Sequence, residues 1–150
     1  LVLSLLVKDS QKMINKPKAI ICDIDGTLAL MSGRSPYEWV KVGDDTVNRP
    51  VLHLLKNYSG SQVIFVSGRD SVCRASTVDW LFYKAGIANP ILFMRAEGDM
   101  RKDSIVKREL FDEHIRDSYD VQFVLDDRDQ VVEMWRSLGL ACFQVAEGDF

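Results

Sequence analysis

Five short apolar runs, rich in β-branched residues, alternate with amphipathic stretches along the chain. The runs are residues 19–22, 62–66, 91–94, 121–125 and 141–145. Strands of a parallel sheet that is covered on both faces have this near-continuous apolar character. The pattern therefore predicts an α/β fold with a doubly wound, mainly parallel, five-stranded sheet and helices on both faces.

Apolar positions with helical spacing lie between these runs and predict four covering helices. The four apolar faces are centred on residues 47–58, 78–85, 105–111 and 131–138. Gly86 and Gly139 follow two of these faces, where a glycine commonly ends a helix. Residues 29–44 lack such periodicity and contain Gly, Pro and Ser, which indicates a small flap or loop after the first strand.

The length of 150 residues and the hydrophobic content of 47% predict one domain with a substantial core. We assign residues 16–150 to this domain and residues 1–15 to an N-terminal extension or linker. The apolar opening is too short for a membrane span and has no basic residues ahead of it, so we expect neither membrane insertion nor a secretory signal.

Net charge and cysteine spacing bear on nucleic-acid binding and on the cellular compartment. The net charge of -3 argues against a broad basic surface that binds along a nucleic acid. It is compatible with a site that binds one end of a nucleic acid. Cys22, Cys73 and Cys142 are widely spaced and form no CxxC pair, which favours a reduced, cytoplasmic protein.

Polar side chains follow four of the five predicted strands. In strand order they are Asp23, Asp25 and Thr27, then Ser67 and Arg69, then Arg95, then Asp126 and Asp127. Ligands of open parallel sheets bind at the carboxyl ends of the strands, so we expect these groups to converge on one edge.

The residue types suggest phosphoryl chemistry at that edge. Asp23 and Asp25 are close enough to act on one reacting group as nucleophile and as acid/base. Four carboxylates in one place would repel one another without a cation, and hard oxygen ligands suit Mg²⁺. The alternative is that the two acidic pairs form only turns or helix caps, where Asp is common.

The motifs DIDGT, VSGRD and LDDRD occur in the order found in phosphohydrolases of the haloacid dehalogenase (HAD) superfamily, which the chain resembles. More narrowly, KPKAIICDIDGTLALMSGRSPYEW, EGDMRKD and QVAEGDF resemble the 3′-phosphatase domain of phage bifunctional polynucleotide kinase/phosphatase. The resemblance runs from about residue 16 to residue 150.

This resemblance implies roles for the catalytic residues. Asp23 would attack phosphorus and form an aspartyl phosphate, and Asp25 would be the acid/base, with its backbone carbonyl near Mg²⁺. Asp126 and Asp127 would complete the metal site together with Asp23. Ser67 and Lys107 would bind phosphoryl oxygens.

The resemblance and the spacing also predict supporting residues. Asp103 lies four positions before Lys107, which on a helix would place the two side by side. Lys102 is a competing candidate for the phosphate-binding lysine. The further candidates for substrate binding are Thr27, Arg34, Arg69, Arg95 and Asp103, and Trp39 with Tyr37 is the candidate aromatic contact.

We therefore predict a Mg²⁺-dependent polynucleotide 3′-phosphatase that acts on 3′-phosphorylated DNA or RNA ends, with a 2′,3′-cyclic phosphate as a further substrate. A kinase domain or a ligase of the same repair pathway is the expected partner. The chain has no GxxxxGK[ST] phosphate loop, so we expect no kinase activity from it. Two alternatives remain: a HAD phosphatase for a small metabolite, and a non-catalytic phosphoryl-accepting signalling domain. The sequence leaves oligomeric state and DNA or RNA preference open.

Overall fold

A computed structural model describes residues 15–150 and, ahead of them, Ser4 alone. The predicted N-terminal extension thus lies almost wholly outside the described residues. The strands are β1 (Lys18–Cys22), β2 (Ala29–Leu30), β3 (Thr46–Val47), β4 (Gln62–Asp70), β5 (Ile91–Arg95), β6 (Asp120–Asp126) and β7 (Cys142–Gln144). The helices of residues 15–150 are α1 (Arg49–Asn57), α2 (Arg74–Tyr83), α3 (Asp103–His114) and α4 (Asp129–Ser137), with 3₁₀ helices at Trp39–Asp44 and Ser71–Cys73.

Five strands form one parallel sheet in the order β5-β4-β1-β6-β7. The predicted α/β class and five-stranded parallel sheet are confirmed. β1 is central, so the residues that follow it emerge between the ends of β4 and β6. This position sets where the acidic motif after β1 must lie.

Side chains of β1 alternate between two apolar cores, one on each face of the sheet. Ile20 and Cys22 belong to the core that α1 and α2 cover, through residues such as Leu52 and Trp80. The other face of β1 belongs to a core that α3 and α4 cover, and it includes Phe111, Val131 and Trp135. Because successive strand residues point to opposite faces, an apolar run without polar interruptions is needed to fill both cores.

The flap after β1 contains more regular structure than its sequence predicts. β2 and β3 pair as a short antiparallel ribbon, and the 3₁₀ helix Trp39–Asp44 lies between them. Two-residue strands and a single 3₁₀ segment are too short to show a hydrophobic period, which is why the pattern did not predict them. Val42 is fully buried and anchors the flap to the core.

Several strands extend further than the apolar runs. β4 continues through Ser67 and Arg69 to Asp70, β5 includes Arg95, and β6 includes Asp126. These residues were predicted to follow their strands, but they are the last strand residues. Their side chains have charged or hydrogen-bonding partners inside the fold. Polar residues can therefore form the last positions of these strands.

Within the described part of the chain, no helix is long and apolar enough to cross a membrane. The three cysteines are buried and unpaired.

Candidate active site

Asp23, Asp126 and Asp127 meet at the carboxyl ends of neighbouring strands. Asp23 follows β1 and its backbone N–H donates to the carbonyl of Leu125, 2.9 Å away. Asp126 ends β6, the strand beside β1. All three carboxylates are buried, and one oxygen from each lies within 4.8 Å of the others. Three of the four carboxylates predicted to converge therefore lie together, and Asp25 lies outside this cluster.

Lys107 reaches this acidic cluster from helix α3. Its Nζ donates to Asp23 Oδ1 at 2.7 Å and to Asp126 Oδ2 at 2.9 Å, and the residue is 2% exposed. Burial alone would lower the pKa of Lys107, but Asp126 and Asp23 raise it above its ordinary value, so the amine stays cationic. Lys102, the competing candidate, is exposed.

The cluster holds more negative charge than Lys107 balances. Burial raises the pKa of Asp23 well above its ordinary value, with contributions from Asp126 and Asp127 that Lys107 partly opposes. Burial and Asp126 likewise raise the pKa of Asp127 to about 6. A further cation would therefore stabilise the fully ionised cluster. Its three carboxylates are the hard oxygen ligands that a divalent ion such as Mg²⁺ prefers.

The two aspartates of the second motif are held differently. Asp126 accepts from the backbone N–H groups of Asp127 and Arg128, from Lys107 and from Trp135 Nε1, at 2.9 to 3.4 Å. Asp127 accepts only from Thr27 Oγ1, at 3.3 Å, among the described side-chain hydrogen bonds. The oxygens of Asp127 therefore have the larger unused capacity for a cation.

Gly26 allows Asp127 to approach the loop after β1. Its φ of +81° lies in the left-handed region that favours glycine. A side-chain carbon at this position would also collide with the carboxylate of Asp127. The glycine of the DxDGT motif is thus required by backbone conformation and by space.

Asp25 points away from the acidic cluster and into a network of two arginines. Arg69 donates from Nε at 3.0 Å and from Nη2 at 2.7 Å, and Arg34 donates from Nη2 at 2.9 Å. The side chains of Arg34 and Arg69 are 1% and 0% exposed, whereas that of Asp25 is 25% exposed. The arginines predicted to bind substrate therefore lie beneath Asp25 and hold its carboxylate at the surface of the site.

Asp45 completes the network, and the sequence reasoning did not identify it. Its carboxylate accepts from Arg34 Nε at 2.7 Å and from Arg69 Nη2 at 2.8 Å, and its side chain has no exposed surface. Trp80 Nε1 donates to its backbone carbonyl at 2.8 Å. Asp45 lies in a polar stretch beside exposed Asp44, and nothing in the sequence pattern distinguishes the two.

Asp103 makes no direct hydrogen bond or ion pair with Lys107, the contact that its helical spacing predicted. Its carboxylate accepts instead from Arg95 Nη2 and, at 2.9 Å, from Arg128 Nη1. Arg95 also donates to the carbonyl of Gly68 at 2.8 Å. Lys107 donates instead to the buried carboxylates of Asp23 and Asp126. Asp103 connects β5, through Arg95, with the loop after β6, through Arg128.

Ser67 and the flap aromatics occupy different environments. Ser67 is 1% exposed, and its hydroxyl accepts from the backbone N–H of Arg69 at 3.1 Å. Trp39 is partly buried against the core, with the ring of Tyr37 at 6.2 Å in an edge-to-face arrangement. Tyr37 is 75% exposed, so it is the accessible member of the predicted aromatic pair.

Comparison with known proteins identifies relatives over most of the chain. The family model of the polynucleotide kinase PNKP phosphatase domain matches residues 17–150. A putative bifunctional polynucleotide kinase/RNA ligase of Autographa californica nuclear polyhedrosis virus is 38% identical over 126 residues, which are 81% of this chain and 18% of that protein.

Solved structures match at the level of sequence and fold. A chain of the Pnkp1/Rnl/Hen1 RNA repair complex is 48% identical with a TM-score of 0.85, over 90% of this chain and 44% of that one. A chain in a second structure of a Pnkp1/Rnl/Hen1 complex is 47% identical with a TM-score of 0.86. The match covers 91% of this chain and 48% of that one. The class C acid phosphatase from Bacillus anthracis shares the fold, with a TM-score of 0.56 at 18% sequence identity. The match covers 83% of this chain and 58% of that one. The chain spans less than half the length of its closer relatives named above.

Proposed function

Because the chain belongs to the family of polynucleotide kinase phosphatase domains, we propose that it removes the terminal 3′-phosphate from RNA or DNA ends. The observation that carries this proposal is the buried cluster of Asp23, Asp126 and Asp127 with Lys107 between two of its members. Relatives in RNA repair complexes support an RNA end as substrate. A 2′,3′-cyclic phosphate remains a further candidate.

In the proposed first step, a carboxylate oxygen of Asp23 attacks phosphorus and the bond from phosphorus to the 3′-oxygen breaks. Asp25 gives its proton to the departing oxygen, and an aspartyl phosphate is left on Asp23. In the second step, water attacks phosphorus while Asp25 takes the proton back. The bond to Asp23 breaks and inorganic phosphate leaves.

Neighbouring groups stabilise the charge of the transferred phosphoryl group. Lys107 already donates to Asp23, so its cation lies beside the reacting oxygen. We assign Ser67 to the same phosphoryl group. Mg²⁺ would be held by Asp23, Asp126 and Asp127, with the Asp25 carbonyl as the fourth predicted ligand, and when bound it would neutralise carboxylate and phosphoryl charge.

The arginines take a positioning role in this proposal. Arg34 and Arg69 are buried and form ion pairs with Asp25 and Asp45, which supports a role in orienting Asp25 rather than in binding substrate. Arg95 and Asp103 similarly connect β5 with the loop after β6, and Thr27 orients Asp127.

We also propose partners for the whole protein. The virus relative named above is described as a kinase/RNA ligase, and other relatives occur in Pnkp1/Rnl/Hen1 complexes. A kinase domain or a ligase acting in the same repair pathway is the partner that these relatives support. Residues 16–150 would form the phosphatase domain, and the unpaired cysteines support the proposed cytoplasmic location.

The decisive experiment is phosphate release from a 3′-phosphorylated oligoribonucleotide with Mg²⁺, compared with the matching DNA and with sugar phosphates. Asp23→Asn should lower turnover by more than about 1000-fold, because the nearly isosteric amide is not a nucleophile. Asp44→Asn, an exposed flap substitution, is the matched control and should keep wild-type turnover. An Asp23→Asn protein that turns over normally would refute the mechanism, and faster release from sugar phosphates would support the metabolite alternative.

A further inference from the structure

Residues 144–150 leave the end of β7 beside Asp126, the last residue of β6, and pass over the following residues Asp127 and Arg128; we call them the crossing segment. Val145 N–H donates to the carbonyl of Asp126 at 3.1 Å, and Asp129 N–H donates to the carbonyl of Gly148 at 2.9 Å. Gln144 Nε2 donates to the carbonyl of Asp127 at 2.9 Å. Main-chain groups of the acidic pair and of the residue opening α4 are therefore tied to one segment.

Gly148 makes the closest approach. It is buried, and a side-chain carbon built on it would lie 2.6 Å from Arg128 Cα and from the carbonyl carbon of Asp127. These neighbours are backbone atoms, which cannot rotate away as a flexible side chain can. Any larger residue at position 148 must displace either the crossing segment or the loop.

Arg128 extends the contact to a second part of the site. Its Nε donates to the carbonyl of Phe150 at 2.7 Å, and its guanidinium lies 5.0 Å from the centre of the Phe150 ring. Its Nη1 donates to Asp103 at 2.9 Å. The crossing segment thus holds Arg128 in the orientation that meets Asp103.

Asp127 depends on this support more than Asp126 does. Its carboxylate accepts only the 3.3 Å hydrogen bond from Thr27 among the side-chain contacts of the described residues, whereas Asp126 accepts four. A weakly held side chain is positioned mainly by its own backbone. That backbone is fixed by Gln144 at its carbonyl and by the close approach of Gly148.

We infer that the crossing segment positions Asp127 for divalent-cation binding, with Gly148 and Gln144 as its positioning residues. The inference rests on the proposed function, because it assigns a role within the same metal site. Partners outside the ligand shell commonly change metal affinity by about 10- to 100-fold when they are removed. Glu147 and Asp149 of the crossing segment are exposed and do not belong to the acidic cluster. A change in the crossing segment should therefore alter cation affinity through the position of Asp127.

The test measures Mn²⁺ affinity by electron paramagnetic resonance and calorimetry, alongside Mg²⁺-dependent phosphate release. We expect Gly148→Ala to weaken Mn²⁺ binding by about 10- to 100-fold and Gln144→Ala to weaken it less. Raising Mg²⁺ should restore most of the turnover of both variants. Gly43→Ala is the matched control, because Gly43 has nothing within 4 Å of an added carbon, and it should bind Mn²⁺ as wild type does.

The outcomes separate this inference from the proposed function. Wild-type Mn²⁺ affinity in a folded Gly148→Ala protein would overturn the inference, even if thermal stability fell. If Gly148→Ala does not fold, the test rests on Gln144→Ala, because Gln144 is exposed. Unchanged Mn²⁺ affinity in that variant would overturn the inference. A wild-type protein that binds no Mn²⁺ or releases no 3′-phosphate would instead overturn the proposed function.

Discussion

Asp45 balances two guanidinium groups that have almost no access to solvent. Asp45→Asn keeps the shape of the side chain but removes the charge that both Arg34 and Arg69 contact. Removing one member of a buried ion pair costs about 3–5 kcal/mol, so we expect a loss of this size in the free energy of unfolding. Turnover should fall as well, because the arginines that orient Asp25 lose their anchor.

Urea unfolding and phosphate release together test this prediction. The matched control is Asp44→Asn, which alters the exposed neighbour and should change stability by less than about 0.5 kcal/mol. Equal stability of the two variants would show that Asp45 does not carry the charge balance.

Asp103 predicts a pH dependence of stability. Burial alone would raise its pKa, but Lys107, Arg128 and Arg95 together lower the pKa below its ordinary value. Its ionised form therefore stabilises the fold above the unfolded pKa, near 3.9, and this contribution is lost as pH falls through the lower folded pKa. Asp103→Asn should cost about 1–3 kcal/mol at neutral pH and progressively less below about pH 4.

Chemical denaturation of wild type and Asp103→Asn across a pH series measures this difference. Asp117→Asn, an exposed substitution, is the control and should follow wild type at every pH. A stability difference that stays constant down to the lowest pH would contradict the assigned ionisation.

At the scale of elements, α4 links the second acidic motif to the core. It begins directly after that motif, and its Trp135 is fully buried with Nε1 3.2 Å from Asp126 Oδ2. Trp135→Phe removes a donor from a buried carboxylate, which costs about 1–3 kcal/mol. We also expect reduced turnover, because Asp126 loses one of its fixed contacts.

Val132→Ala provides the comparison within the same helix. Val132 is buried in the same core, but its side chain makes no polar contact with Asp126. Its substitution should reduce stability by leaving a small cavity and should preserve turnover. If both variants lose stability and turnover in the same proportion, the indole hydrogen bond has no separate role.

At the scale of the whole molecule, the acidic cluster joins segments distant in sequence, so we expect divalent ions to stabilise the folded state. An ion that binds only the folded state at 100 times its dissociation constant stabilises by about 2.7 kcal/mol. For a domain of this size we expect Mg²⁺ to raise Tm by about 5–10 °C. Differential scanning calorimetry with and without Mg²⁺ measures the shift.

Asp127→Asn is the variant that isolates the cluster in this measurement. It should remove most of the Mg²⁺-dependent shift, because a neutral amide replaces a carboxylate of the cluster whose described side-chain contact is one 3.3 Å hydrogen bond. Asp117→Asn should keep the shift. A Tm that Mg²⁺ leaves unchanged in wild type would argue against a divalent site at the cluster.

The sequence alone determined the sheet, its covering helices and the edge where chemistry collects. Apolar runs and helical periods are local properties, and parallel strands bring their carboxyl ends together whatever the details of packing. The same reasoning located Asp23, Asp126 and Asp127, because each lies at or just after the end of its strand. Lys107 was placed by resemblance to a family rather than by periodicity.

Only the tertiary structure decided which charges meet. Asp103 and Lys107 are helical neighbours, yet they hydrogen-bond to separate partners, because the more deeply buried carboxylates of Asp23 and Asp126 take the amine. Asp45 and Asp44 are identical residues side by side, and only the folded flap buries one of them. Pairings between residues far apart in the chain depend on distance and burial, which no local pattern encodes.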